Sequence, residues 1–177
     1  MNTARPESRA GSNAAGFTII ETVFALSILM VVMLGLMPLG AVATTTTENQ
    51  GHLMARATEY AQDKMEQLLA LKYGDSTSDT RVFPATSSGG TGLAIGGSAD
   101  PAGPVALYVD YLDVDGKLLT QTGTAAPADW YYKRVWQVDC PGTNLKRVVV
   151  TASVKTAVGS TGRVPQATLA SIKTSPF

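Results

Sequence analysis

Cysteine, histidine and charged residues are scarce in this sequence. Its 177 residues include one cysteine, Cys140, and one histidine, His52. A single cysteine cannot form an intrachain disulfide, so the fold must be held by packing and hydrogen bonds. Neither residue has a partner at the spacing of a metal site or of a nucleophile with its base, and no phosphate-binding loop is found. The sequence therefore predicts no metal, no cofactor and no enzyme activity.

Charge is absent altogether from residues 22–43, which read TVFALSILMVVMLGLMPLGAVA. At ~1.5 Å per residue such a helix is ~33 Å long, which is enough to cross a hydrocarbon core of ~30 Å. A buried helix of a soluble protein is the alternative, but the length of the run and its lack of charged residues favour a membrane span. The polar residues 1–16 precede it, and their Arg5 and Arg9 favour a cytoplasmic N-terminus.

The order of these segments is the reverse of that in a secretory signal, because the small residues 14–16 precede the apolar run. Glu21 lies at the edge of the run. A carboxylate at membrane depth costs roughly 2.5–3.5 kcal/mol unless it has a partner. A solvated position at the lipid headgroups is the alternative, and the location of Glu21 alone does not decide between the two.

The segment Gly16-Phe17-Thr18-Ile19-Ile20-Glu21 resembles the type IV prepilin cleavage and methylation motif, which also runs directly into a membrane helix. The resemblance covers residues 14–39. It implies that a prepilin peptidase removes a leader, residues 1–16, by cutting before Phe17 on the cytoplasmic side, and then methylates the new amino group of Phe17. The partners that it implies are this peptidase, membrane lipid, an inner-membrane assembly platform and other pilin or pseudopilin subunits.

The same resemblance implies roles for Glu21 and Pro38. In filaments of this family, the carboxylate of one subunit is thought to meet the N-terminal amine of its neighbour, so the pair at Glu21 would set the register between subunits. Pro38 removes one backbone hydrogen bond from a helix, and similar pilins often carry a proline where the helix kinks or melts. A proline that the membrane helix simply tolerates is the alternative.

Beyond the membrane segment, residues 17–43, the sequence predicts an α+β domain. Residues 44–74 are an amphipathic continuation, and the resemblance favours one helix from Phe17 to Tyr73. Its apolar stripe is expected to seat a β-sheet and consists of Met54, Ala57, Ala61, Met65 and Leu68. Residues 75–104 are rich in Ser, Gly and Pro and predict an irregular connection. Residues 105–177 predict an antiparallel sheet of four or five strands.

Alternating residues and turn signals place the strands. They are expected at residues 105–113, 117–121, 130–139, 145–155 and 164–172, with a short strand near residues 81–83. Asp115-Gly116 predicts the first hairpin turn, and residues 159–162 predict another. One face of the third strand should carry Tyr132, Trp136 and Val138. One face of the fourth should carry Val148, Val150, Ala152 and Val154.

Three aspartates, Asp110, Asp113 and Asp115, invite a calcium site. Their spacing does not match an EF-hand loop, and they favour turn chemistry instead.

Charge is unevenly distributed along the chain. Residues 75–129 hold seven acidic and two basic residues, whereas residues 130–177 hold one acidic and seven basic residues. Opposite charges could help strands or subunits pair. The alternative is a patch for DNA or another polyanion, formed by Lys133, Arg134, Lys146, Arg147 and Arg163.

These patterns predict a structural subunit of a pilus-like filament, either a minor pilin of a type IV pilus or a pseudopilin of a type II secretion system. Residues 61–69 and 132–138 loosely resemble minor pilins of the pilus-modification type. An exposed domain that binds DNA or a surface is the alternative, although the nearby acidic residues disfavour nucleic acid. The expected location is a single pass through the inner membrane, followed by a periplasmic or cell-surface filament.

Overall fold

A computed structural model describes residues 16–157 and 163–175 of the chain. The expected leader lies outside the described residues except for Gly16, and so does the expected turn at residues 159–162. The chain divides into two compact units, of which the first ends at Thr44 and the second begins at Thr45. One long helix, α1, runs from Ile19 to Ala70. Its bounds confirm the predicted single helix to within three residues at each end.

The second unit contains a five-stranded antiparallel sheet. Its strands are β1 (Gly96–Gly97), β2 (Val109–Leu112), β3 (Tyr132–Gly142), β4 (Leu145–Val154) and β5 (Gln166–Thr174). The order across the sheet is β1-β3-β4-β5, and β2 pairs with the same side of β3 as β1 does. The predicted α+β fold, a long N-terminal helix packed on a four- to five-stranded antiparallel sheet, is confirmed.

The core lies between the second half of α1 and the sheet. Ala57, Ala61 and Leu68 are fully buried and Met65 nearly so, as the stripe predicted, whereas Met54 remains 42% exposed. The two predicted strand faces meet this stripe, because Trp136, Val138, Val148, Val150 and Ala152 belong to the same apolar cluster. Two alanines in the stripe let the backbone of α1 approach the large ring of Trp136 closely.

The predicted strand 105–113 is shorter in the structure, where it is β2. Its first residues form a turn instead, in which the Tyr108 N–H donates to the Val105 carbonyl at 3.0 Å and Leu107 has a φ of 70°. The predicted strand 117–121 is reduced to one bridge, between Leu112 and Leu118. The ladder stops because the side-chain amide of Gln121 occupies the Val109 carbonyl at 2.5 Å.

Residues 75–104 form an ordered connection in which the short strand expected at residues 81–83 is absent. Asp79 accepts hydrogen bonds from the backbone and the side chain of Arg81 and turns the chain there. The connection instead supplies β1, which the sequence did not predict. Gly97 is required there, because its φ is 82° and a Cβ atom would lie 2.2 Å from the Trp136 carbonyl oxygen.

Candidate functional site

The N-terminus of α1 is capped by Thr18. The Thr18 carbonyl accepts hydrogen bonds from the Glu21 and Thr22 amides at 3.1 and 3.2 Å, and the Thr18 hydroxyl accepts a weaker one from the Glu21 amide at 3.4 Å. Thr18 and Glu21 stand at the N-cap and N3 positions, and the bond to the Thr18 hydroxyl is the half of a capping box that the structure contains. The spacing Thr-x-x-Glu carried this signal in the sequence, but sequence reasoning assigned Glu21 to filament assembly and did not predict the cap.

The carboxylate of Glu21 is exposed, and no hydrogen bond or ion pair within residues 16–157 and 163–175 uses it. Phe17, directly before the cap, is 82% exposed. Gly16 is also exposed, and a Cβ atom there would meet nothing within 4 Å. The residues that the structure describes therefore place no steric demand for glycine at position 16.

The first part of α1 presents apolar side chains on every side. Its large apolar residues from Ile19 to Val42 are exposed. The most apolar stretch of 18 residues in this helix has a mean hydropathy of 2.5, and none of its residues is buried. By length and composition, this helix could cross a membrane. Exposed apolar surfaces of this size are typical of sites that contact a membrane or another protein.

Polar groups within this apolar segment are satisfied by the helix itself. The hydroxyls of Thr22 and Ser27 donate to the carbonyls of Ile19 and Val23 at 2.7 and 2.8 Å. This arrangement removes the cost of placing a hydroxyl in hydrocarbon. α1 continues unbroken through Pro38, so the proline lies inside the helix, as expected, and does not end it.

The second unit contains a buried charge cluster that joins α1 to the sheet, and we define it as Lys64, Asp110 and Arg134. All three side chains are at most 3% exposed. Lys64 Nζ donates to Asp110 Oδ2 at 2.7 Å and to the Thr80 carbonyl, and it lies 4.0 Å from the centre of the Trp136 ring. Arg134 Nη1 reaches Asp63, a half-exposed residue of α1, at 2.7 Å.

Burial and the neighbouring opposite charges shift the pKa values of the cluster in opposite directions. Burial alone would raise the pKa of Asp110, but the charges of Arg134 and Lys64 outweigh it and lower that pKa. Burial lowers the pKa of Lys64 to about 8, although Asp110 opposes this effect. Burial would likewise lower the pKa of Arg134, but the attraction of Asp110 raises it. Asp110 and Arg134 are therefore charged at neutral pH.

Sequence reasoning missed this cluster, although periodicity contained a signal for it. Lys64 lies three residues after Ala61 and four before Leu68, which places it on the buried stripe of α1. Arg134 lies two residues from both Tyr132 and Trp136, which places it on the buried face of β3. A charged residue at a core position is expected to have a buried partner of opposite charge, and Asp110 is that partner.

The C-terminus of α1 is capped from the sheet. Lys146 of β4 donates to the carbonyls of Tyr73 and Leu93 at 2.7 and 2.8 Å, and Lys173 of β5 donates to the carbonyl of Leu69. The last turn of α1 has no basic residue of its own. Lys173 therefore satisfies a carbonyl of the last turn of α1 and offsets the negative end of the helix dipole there, whereas Lys146 binds carbonyls of the connection that follows Ala70.

The five residues of the predicted polyanion patch have separate roles. Arg134 is buried in the charge cluster, so including it in an exposed patch was wrong. Lys146 donates to the Tyr73 and Leu93 carbonyls, Lys133 donates to the Pro101 carbonyl, and Arg147 forms an exposed ion pair with Asp139. Arg163 is exposed. Of these five residues, only Arg147 and Arg163 are exposed, and Arg147 is paired with Asp139.

The three aspartates considered for calcium serve other purposes. Asp110 belongs to the charge cluster, and Asp113 Oδ1 accepts the amides of Asp115 and Lys117 at 2.9 and 2.8 Å, which confirms the expected turn chemistry. No group of three or more metal-ligating side chains occurs within the described residues. His52 and Cys140 are both exposed.

Comparison with known proteins adds no relative to these observations. No family model matches the chain, and no curated protein or solved structure is similar to it. The chemistry of the N-terminal segment and the fold that follows it are therefore the basis for a proposed function.

Proposed function

We propose that this protein is a structural subunit of a type IV pilus-like filament, acting as a minor pilin or as a pseudopilin of a type II secretion system. One observation carries the proposal. The segment Gly16–Glu21 stands at the start of a helix of 52 residues whose first part is apolar and exposed. The second part of the same helix is buried against a sheet. A subunit that is inserted in a membrane and then packed into a helical core needs this arrangement.

Processing is the first step of the proposed function. A prepilin peptidase hydrolyses the peptide bond between Gly16 and Phe17, and the new amino group of Phe17 is methylated. Exposure of Gly16 and Phe17 ahead of the helix supports access to this bond. Since the chain itself leaves space for a side chain at position 16, the glycine serves the peptidase site.

Assembly is the second step. The processed subunit presents the Phe17 ammonium four residues before the Glu21 carboxylate, both at the start of α1. In an apolar filament core each charge needs a partner, because an unpaired buried charge is strongly unfavourable. The ammonium of one subunit meets the Glu21 carboxylate of the next, and this pair selects one axial register. Within residues 16–157 and 163–175 no hydrogen bond or ion pair uses the Glu21 carboxylate, which supports this role.

The alternative role as a DNA-capturing subunit receives little support from the second unit. Of the five basic residues that suggested it, one is buried and three are bound to carbonyls or to Asp139. The proposal therefore remains a filament subunit whose partners are the peptidase, membrane lipid, the assembly platform and other subunits.

Mass spectrometry of protein extracted from membranes tests the proposal. We expect mature chains that begin at N-methylated Phe17 in cells with an active prepilin peptidase. Gly16→Val should leave the leader in place, whereas Gly11→Val, a matched change within the leader, should be processed normally. An intact Met1 start in the unaltered protein, in cells where another prepilin is cleaved, would contradict the proposed function.

A further inference from the structure

β5 is the outer strand of the sheet and has a free edge. It is the last strand in the order β1-β3-β4-β5 and pairs only with β4 among the described residues. At nine residues it is long for an edge strand. Unpaired N–H and C=O groups along such an edge are a template for pairing with another chain.

The register of β4 and β5 identifies the free groups. The Val154 amide donates to the Pro165 carbonyl at 3.1 Å, and the Ser175 amide donates to the Asn144 carbonyl at 2.9 Å. Odd-numbered residues of β5 therefore direct their backbone groups toward β4, and even-numbered residues direct theirs outward. The outward residues also have exposed side chains, and they are Gln166, Thr168, Ala170, Ile172 and Thr174.

This edge lacks the features by which soluble proteins usually prevent strand pairing. Those features are charged side chains, proline, bulges and short strands. The outward row contains no charge and no proline, and the pairing of β4 with β5 has no irregularity. The only charged residue of β5, Lys173, has an inward backbone and donates to the carbonyl of Leu69 on α1. The edge is therefore suited to a partner strand.

We propose that β5 pairs with β5 of a second copy of this chain, antiparallel about a two-fold axis at Ala170. This register pairs every outward residue: Gln166 faces Thr174, Thr168 faces Ile172, and Ala170 faces itself. No like charges meet, because the row is uncharged, and the smallest side chain lies on the axis. Any other register about an outward residue leaves part of the row unpaired. The inference concerns the second unit and does not depend on the proposed function.

Disulfide mapping on the full chain in detergent micelles tests this pairing. Cys140 is first replaced by Ser, because it is exposed, and single cysteines are placed at 168, 170, 172 or 174. The two Cα atoms at position 170 would lie about 5.5 Å apart, which suits a disulfide. Those at position 174 would lie ~27 Å apart. We expect about tenfold more disulfide dimer for Ala170→Cys than for Thr174→Cys.

The dependence of the dimer yield on the cysteine position distinguishes strand pairing from association through the apolar segment. Association through the apolar segment would hold two copies together without favouring one residue of β5. Equal dimer yields at the four positions, a maximum at 168, 172 or 174, or no dimer at 170 would overturn the proposal.

A charge-swap pair provides a second test in the Ala170→Cys background. Thr168→Lys with Ile172→Lys sets like charges opposite each other in the dimer, and we expect the disulfide yield to fall about fivefold. Thr168→Lys with Ile172→Glu changes the same two exposed positions but sets opposite charges together, so the yield should be retained. Equal yields for the two double variants would overturn the proposal.

Discussion

Asp110 and Arg134 face each other across β2 and β3 as register partners and form a buried two-pronged ion pair. Arg134 Nε and Nη2 donate to Asp110 Oδ1 and Oδ2 at 2.7 and 2.9 Å. Lys64 of α1 donates to the same carboxylate. One carboxylate therefore ties together the helix and two strands, and its loss would leave two buried cations without their acceptor.

A chain truncated to begin at Thr45 should fold by itself. It removes the exposed apolar segment but keeps the buried stripe of α1 that covers Trp136. We expect it to be soluble and to unfold cooperatively in urea, as followed by tryptophan fluorescence. A chain that begins at Gly74 lacks the stripe and exposes the apolar face of the sheet, so it should aggregate or remain unfolded. A folded protein from the shorter chain would refute this view of the core.

In the chain that begins at Thr45, Asp110→Ala should lower the free energy of unfolding by about 3–5 kcal/mol, because Lys64 and Arg134 remain buried without a counter-charge. Replacing all three residues together, with Lys64→Met, Asp110→Leu and Arg134→Met, should restore most of this loss. The matched surface change is Arg147→Met, which breaks an exposed pair with Asp139 and should leave the stability unchanged. A triple variant as unstable as Asp110→Ala would show that the cluster itself supplies stability.

Stability should fall in acid through Asp110. Its pKa in the folded chain is lowered, so the folded state binds fewer protons than the unfolded state as the pH drops below the ordinary aspartate range. The contribution is complete above about pH 4 and is lost as the pH falls through the folded pKa. Urea titrations between pH 2 and pH 6 should therefore show a shallower pH dependence for Asp110→Asn than for the unaltered chain. Asp129→Asn, at an exposed position, should leave the profile as it was.

Glu21→Ala should reduce incorporation into filaments while leaving membrane insertion intact, because the carboxylate is costly at membrane depth but pairs with the neighbouring ammonium in the filament. The Thr18 cap uses the backbone amide of residue 21 and survives this change. Thr18→Ala is the matched control, since it removes the capping hydroxyl and keeps the carboxylate. Quantification of the subunit in sheared filaments and in membranes distinguishes the two. Equal incorporation of Glu21→Ala and the unaltered protein would contradict the register role.

DNA binding by the chain that begins at Thr45 should be weak even at low salt, because Arg134 is buried and Lys146 is bound to the Tyr73 and Leu93 carbonyls. Binding through phosphates would weaken steeply with salt, with a slope that reports the number of neutralised phosphates. Lys146→Ala should mainly lower the free energy of unfolding, whereas Arg147→Ala should not. Micromolar affinity at moderate salt, lost when both residues are replaced in a variant that remains folded, would favour the DNA-capturing role.

The sequence by itself determined the apolar part of α1, its buried stripe and the faces of β3 and β4, whereas the continuity of α1 through residues 44–47 was expected only from the family resemblance. Local physics decides these features: an uncharged run needs an apolar environment wherever it folds, and the periods of helix and strand place Ala61, Trp136 and Val150 on buried faces. The N-cap at Thr18 was equally local and was open to prediction from the position of this threonine directly before the apolar run.

Only the tertiary structure decided how the charges are used. Lys64, Asp110 and Arg134 lie far apart in the sequence and meet because α1 packs across β2 and β3, so no local pattern names them as partners. Lys146 similarly binds the Tyr73 carbonyl, 73 residues away in the chain. Strand lengths also depended on competing contacts, such as the Gln121 side chain that takes the Val109 carbonyl from the ladder. A charge or a carbonyl selects its partner by proximity in the folded chain, and the sequence does not encode that proximity locally.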